Sequence, residues 1–175
     1  MKWGIIMKNN NKGYSLVEII IVIAILAVVT SGAGISFRLI YNTRVTTGAR
    51  NIQSMCKAAR LNNMTKQKLK YIHLFRRDGT YYVYVDDQLT GATSNMDEQI
   101  GSVDMGISYG PRSGGTTLLA NNKVFTIYFD RSGKCYFYDA AGNMLSSNIT
   151  RILFSNGKRQ ATVNISKITG KVTME

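Results

Sequence analysis

The stretch KGYSLVEIIIVIAILAVV, Lys12 to Val29, sets one acid, Glu18, directly before eleven consecutive apolar residues, Ile19 to Val29. An ionised carboxylate at the centre of a membrane helix costs roughly 2.5 to 3.5 kcal/mol on insertion scales. Its place beside such a run therefore needs a physical reason. Upstream, residues 1–13 hold Lys2, Lys8 and Lys12 and no acid, which keeps this end in the cytoplasm by the positive-inside rule. Met7 offers a second start with the same character. Downstream, the apolar character continues through Thr30 to Ile35 and on to about Tyr41. A helix from Leu16 to Tyr41 would be roughly 39 Å long, enough to span a bilayer.

A secretory signal peptide cut after Ser31-Gly32-Ala33, or an uncleaved anchor, would account for the apolar run but not for Glu18. Gly13-Tyr14-Ser15-Leu16-Val17-Glu18, followed by an apolar helix, resembles the class III leader of type IV pilins and pseudopilins. The resemblance implies cleavage by a prepilin peptidase after Gly13, N-methylation of Tyr14, and a role for Glu18 in assembly. Tyr14 stands where phenylalanine is commonest in that family, and Ser15 where threonine is common. Cleavage would create an ammonium at Tyr14, and in a bundle of such helices the carboxylate of one subunit can meet the amine of the next. An unpaired buried charge is strongly penalised and a paired one much less so, so Glu18 would reward docking beside a neighbour.

The remaining chain is strongly basic, with a formal net charge of +12 over 175 residues, which points to anionic partners such as nucleic acid or lipid headgroups. Two cysteines are too few for a disulfide scaffold, and the single histidine, His73, excludes the usual His-rich metal sites. No Walker A sequence, dinucleotide fingerprint or nucleophile elbow occurs. Composition and motifs thus predict a protein that is not an enzyme and needs neither cofactor nor metal.

From Asn42 to about Gln67 the pattern is helical: Val45, Ala49, Ile52, Cys56 and Ala59 recur at spacings of four and three and make one apolar stripe, predicted to dock on a sheet. Between Glu18 and Asp78 there is no acid but ten basic residues, among them Arg44, Arg50, Lys57, Arg60, Lys66, Lys68 and Lys70. Three accounts compete: a solvated face, contact with anionic headgroups, and DNA.

Beyond Lys70 the period becomes two. Tyr71–Phe75 and Thr80–Val85 flank Asp78-Gly79, and Val124–Phe129 turns at Asp130–Gly133 toward Cys135–Tyr138. Thr150–Phe154 and Arg159–Ser166 flank Asn156-Gly157, for which a type I′ turn is predicted, and Lys171–Met174 is a last short strand. This predicts six to eight antiparallel strands built from consecutive hairpins, with residues 86–122 as a long surface excursion holding one short strand near Gly106. Asp86, Asp87, Asp97, Glu98 and Asp104 in that region are read as ordinary loop acids, calcium being the alternative. His73 is read as an ordinary strand side chain.

The tail ILFSNGKRQATVNISKITGKVTM resembles the C-terminal hairpins of H-type pseudopilins and FimT-like minor pilins, which implies a head of two antiparallel sheets clasping the helix stripe. Some FimT-like minor pilins bind DNA through basic residues near the C-terminus, and here Lys158, Arg159, Lys167 and Lys171 are the candidates, with the tyrosines as stacking partners. Cys56 and Cys135 are expected to be buried thiols, or a helix-to-sheet disulfide if the head matures outside the cell.

The fold class expected is α+β and pilin-like. Its parts are a leader, 1–13; an apolar membrane and assembly half-helix, 14–41; an amphipathic half-helix, 42–68; and a β head, 69–175. The function expected is that of a minor pilin or pseudopilin, or alternatively a DNA-binding minor pilin. Its partners would be other subunits, the peptidase, membrane lipid before assembly and, in the alternative, DNA. It would sit in the cytoplasmic membrane with its head outside before entering a filament.

Overall fold

A computed structural model describes residues 15–65, 68–91, 98–101 and 103–175, with the side chains of 31–42 set aside. The expected leader and cleavage site, Gly13 and Tyr14, therefore lie outside the described residues, as does Asp97. The chain divides into two compact units, Met1–Leu39 and Ile40–Glu175. A helix, α1, runs over Leu16–Thr65 and contributes to both.

In the first unit, the described side chains of α1 from Leu16 to Val29 are exposed around the whole circumference. No helix among the described residues is long and apolar enough to cross a membrane. The expected span to Tyr41 runs past Thr30, where the described side chains of this part stop.

The second unit is built around the other half of α1. Val45, Ala49, Ile52, Cys56 and Ala59 are at most 5% exposed and share one core with both sheets. The four-and-three spacing puts these five on a single face, while Arg44, Arg50 and Lys57 stay exposed off it.

The first sheet contains β1 (Tyr71–Arg77), β2 (Thr80–Asp86), β3 (Glu98–Gln99), β6 (Val124–Phe129) and β7 (Cys135–Tyr138), in the order β3-β2-β1-β6-β7. The second contains β4 (Gly106–Gly110), β5 (Thr117–Leu118), β8 (Arg151–Ser155), β9 (Gln160–Ile165) and β10 (Val172–Met174), in the order β10-β9-β8-β4-β5. All pairings between these strands are antiparallel. Ile72, Leu74, Tyr81, Val83, Phe125 and Ile127 of the first sheet face the core, as do Ile107, Ile152, Phe154 and Val163 of the second. β8 and β9 show the period-two alternation of half-buried strands, whereas β1 and β6 are buried on both faces, with Phe75, Tyr84 and Val124 in a second cluster.

Two expectations need correction. Among the described residues the head has ten strands, and not all are joined as consecutive hairpins: β1 pairs with β6 and β4 pairs with β8. Three of the ten, β3, β4 and β5, come from the 86–122 excursion, so that region is partly sheet. Long-range pairing of this kind leaves no signature in local periodicity. The Asn156-Gly157 turn is not type I′ either, because Asn156 lacks the positive φ that such a turn demands. Asn156 Oδ1 instead accepts the backbone N–H groups of Lys158 and Arg159, at 3.1 and 2.8 Å, which opens the loop to four residues. Asp78-Gly79 does turn tightly, with φ of +49° and +79°.

Candidate functional site

At the start of α1, the carbonyl of Ser15 accepts the backbone N–H groups of Glu18, at 2.9 Å, and Ile19, at 3.2 Å. Ser15 thus stands at the N-cap with Glu18 three residues on, the spacing of a capping box. That signal is legible in the sequence, and the composition-led reading passed over it. An acid in the first helical turn gains about 0.3 to 1 kcal/mol from the helix dipole. Set against roughly 2.5 to 3.5 kcal/mol for a carboxylate deep in lipid, the local gain is too small, and a counter-charge is still required. At the other end of the apolar run, Thr30 Oγ1 donates to the carbonyl of Leu26 at 2.7 Å, so its hydroxyl is satisfied within the helix.

The head carries two clefts around the connection between β9 and β10. The first, about 510 Å³, is lined by Arg112, Thr150, Asn164, Lys167 and Lys171 together with Ser166, Thr173 and two isoleucines. The second, about 880 Å³, takes Gln53, Lys57 and Arg60 from α1, and Lys171 with its neighbours from the sheet. Lys171 is common to both.

The β9–β10 turn is closed locally. Ser166 N–H donates to Lys171 O at 2.9 Å, Gly170 N–H to Ser166 O at 2.7 Å, and Thr169 Oγ1 to Ser166 Oγ at 2.8 Å. Lys167 is positioned twice: its carbonyl accepts Cys135 N–H at 3.0 Å, and its Nζ donates to Ser147 O at 3.3 Å. Gly170 has φ +61°, and a Cβ there would strike the carbonyl oxygen of Gly133 and lie 2.8 Å from Arg60 Nε. The Arg60 guanidinium is therefore held against the turn.

Three polar atoms at these clefts, Thr150 Oγ1, Asn164 Nδ2 and Arg60 Nε, are buried with no hydrogen-bond partner among the described residues. Tyr81 Oη and Arg151 Nε share that condition away from the clefts, and all five atoms are closed to solvent, so none of them is offered to a ligand. At the first cleft, Glu175 Oε1 is 3.7 Å from Arg112 Nη2. Both side chains are more than half exposed, and a pair of that kind contributes only about 0 to 1 kcal/mol.

The structure splits the four predicted DNA-binding candidates. Lys167 and Lys171 line the first cleft, joined by Arg112, which sequence reasoning missed because its strand neighbours are far away in the chain. Lys158 and Arg159 sit exposed in the β8–β9 loop and line neither cleft. Nor does any tyrosine line them. Tyr71, Tyr128, Tyr136 and Tyr138 gather instead on the first sheet, with Tyr71 and Tyr128 stacked at 4.8 Å between centroids. Burial and then repulsion from Tyr138 push the phenol of Tyr71 above its usual range, and burial and then repulsion from Tyr136 do the same to Tyr138.

His73 is more than a strand side chain. It is fully buried, with Nδ1 2.9 Å from Thr126 Oγ1 and Nε2 2.9 Å from Asp86 Oδ1 and 3.0 Å from Gln88 O. Two acceptors at Nε2 assign the proton there, leaving Nδ1 to accept from the Thr126 hydroxyl. The network fixes the chain after β2 and is closed to solvent on the histidine side. Of the acids weighed for calcium, Asp86 is committed to His73, and Glu98 accepts from Asn51 Nδ2 at 2.7 Å. Among the described residues no group of three or more acid, histidine or cysteine side chains could hold a metal. Cys56 and Cys135 are buried thiols, and burial raises the pKa of Cys56 to about 12.

Compared with known proteins, residues 8–34 match the family described as the prokaryotic N-terminal methylation motif. No curated protein and no solved structure matches the chain. The matched segment contains Gly13, Tyr14 and Glu18. The chain thus carries a prepilin-like leader, which supports a type IV pilin-like subunit that is processed by a prepilin peptidase and assembles with other pilin subunits.

Proposed function

We propose that this chain is a minor pilin or pseudopilin, a structural subunit of a type IV pilus or of a secretion or competence pseudopilus. The peptidase cuts after Gly13, Tyr14 becomes the methylated N-terminus, and the subunit waits in the cytoplasmic membrane with its head outside. Docking then pairs Glu18 of one subunit with the amine of its neighbour. The observation that carries this is the methylation motif over residues 8–34, which covers the start of a helix whose side chains from Leu16 to Val29 are exposed and apolar except at Glu18. Such a helix is stable only among lipid or other helices. Co-expression with a prepilin peptidase and mass spectrometry of the mature chain tests it. A methylated Tyr14 is the expected N-terminus; a chain beginning at Gly34 would identify an ordinary signal peptide and end the proposal.

A second reading is favoured by the clefts: the head captures DNA, and the filament carries it. Three cationic side chains, Arg112, Lys167 and Lys171, line the first cleft. Absence of DNA binding by the full chain at low salt would end this reading and leave the structural one standing.

A further inference from the structure

We infer that the free edge of β10 is a docking site for an extended, acidic polypeptide segment, which adds to the second sheet as a further strand. The partner is a protein, and the site does not depend on the DNA reading. Strand register fixes which main-chain groups are available. Glu175 N–H donates to Thr162 O at 2.9 Å and Thr162 N–H to Glu175 O at 2.8 Å, while Ser166 N–H donates to Lys171 O at 2.9 Å. Such pairs alternate along an antiparallel ladder, so Lys171, Thr173 and Glu175 turn their main-chain groups toward β9. Val172 and Met174 turn theirs the other way. β10 is the last strand of its sheet, and among the described residues neither Val172 nor Met174 has a main-chain partner on that side.

The second cleft follows this edge. Residues 169–174 line it from the sheet, and Gln53, Lys57 and Arg60 line it from α1. Spacings of four and three put those three on one helix face. When a strand adds to a sheet edge, main-chain bonds give affinity and alternate side chains give specificity. Here the flanking charges are Lys57, Arg60 and Lys171, and no acid lines the cleft. Glu175, just beyond, is directed to Arg112 instead. Every second side chain of an added strand would face α1, where a carboxylate meets Lys57 and Arg60.

The same cations argue against a second copy of this edge as the occupant. Two β10 edges side by side would oppose like charges, and lysine on an edge is a common guard against such pairing. Each chain also carries a net charge of +12. An acidic strand is the one that passes this guard. Because β10 is only three residues long, it offers few main-chain groups, and complementary charge must supply much of the selection.

The test uses the full chain in a non-ionic detergent and three labelled peptides read by fluorescence anisotropy. One alternates glutamate and threonine over about ten residues, roughly the reach of a strand. The second replaces each glutamate with lysine, and the third is the acidic peptide with every amide N-methylated, which keeps the charge and removes the donors. The acidic peptide should bind, and the methylated one should bind about tenfold more weakly or worse. Hydrogen exchange should slow at the Val172 and Met174 amides and stay unchanged at Thr173, whose N–H already faces β9. Lys57 is exposed on the helix, and Lys57→Glu should weaken the acidic peptide about fivefold while improving the lysine peptide. Should that variant unfold, the three peptides on the natural chain decide alone. Equal binding of the methylated peptide would overturn strand addition, and equal binding of the lysine peptide would overturn the charge filter. No binding of any peptide at low salt would overturn both and leave the subunit role standing. Displacement of the acidic peptide by a random-sequence DNA duplex, without slowed exchange at Val172 and Met174, would assign the cleft to polyanions instead.

Discussion

Asn63 is the residue on which the end of the helix hangs. It is fully buried in the last turns of α1. Its Nδ2 donates to Lys70 O at 2.9 Å and to Phe129 O at 2.8 Å, while its Oδ1 accepts Lys70 N–H at 2.7 Å. One amide thus ties the helix to the chain entering β1 and to the end of β6. Asn63→Leu keeps the branched shape with somewhat more bulk and removes these three bonds together with the one that Asn62 Nδ2 donates to Asn63 Oδ1 at 3.3 Å. The bond to Phe129 O is fully buried, and its loss costs about 1 to 3 kcal/mol; the two to Lys70 are part-buried, water can replace them, and each costs about 0.5 to 1.5 kcal/mol. Leucine recovers about 1 to 2 kcal/mol by burial, so a net loss of about 2 to 3 kcal/mol is expected at the middle of these ranges. Urea unfolding of the 40–175 unit measures it, with an unchanged m-value showing that the native state stays compact. Asn63→Asp should be worse, because a carboxylate would face two carbonyls. A loss below about 0.5 kcal/mol in Asn63→Leu would refute the reasoning and show that water restores those contacts without penalty.

Glu18→Ala should leave cleavage after Gly13 intact yet abolish incorporation into sheared filaments; unchanged incorporation would refute the charge-pairing account. Gly170→Ala must adopt the left-handed region and push Gly133 away, costing at least about 2 kcal/mol by thermal melting, and it should weaken binding in the second cleft because Arg60 moves. The folded thiol of Cys56 titrates near 12, against 9.0 for a free one. Its contribution to stability is whole below pH 9 and shrinks as pH rises toward 12, by up to about 1.4 kcal/mol per pH unit; a flat stability profile from pH 9 to 11 would contradict its burial. Thiol titration of the denatured chain should count two thiols without reductant, and a count of zero would show that Cys56 and Cys135 had closed into a disulfide.

Periodicity carried much of the fold. The five-residue stripe on α1 and the alternation in β8 and β9 are local patterns, and each was legible because one face of each element is buried. The pairing of β1 with β6, and of β4 with β8, was not legible, since strand partners are chosen by packing over long stretches of chain. The Asn156 turn shows a subtler failure: the dipeptide predicted its preferred turn, and a side-chain oxygen capping two backbone N–H groups redirected it.

By itself the sequence determined the methylation motif over residues 8–34, because such a motif is a linear string and an apolar helix needs no partner to declare itself. It also determined the excess of positive charge. Only the tertiary structure decided where that charge acts. Arg60 on a helix, Arg112 in a loop and Lys171 before the last strand are far apart in the chain, and the folding of both sheets over α1 brings them to two adjoining clefts. Lys158 and Arg159, though near Lys167 in the chain, are carried away by the β8–β9 loop.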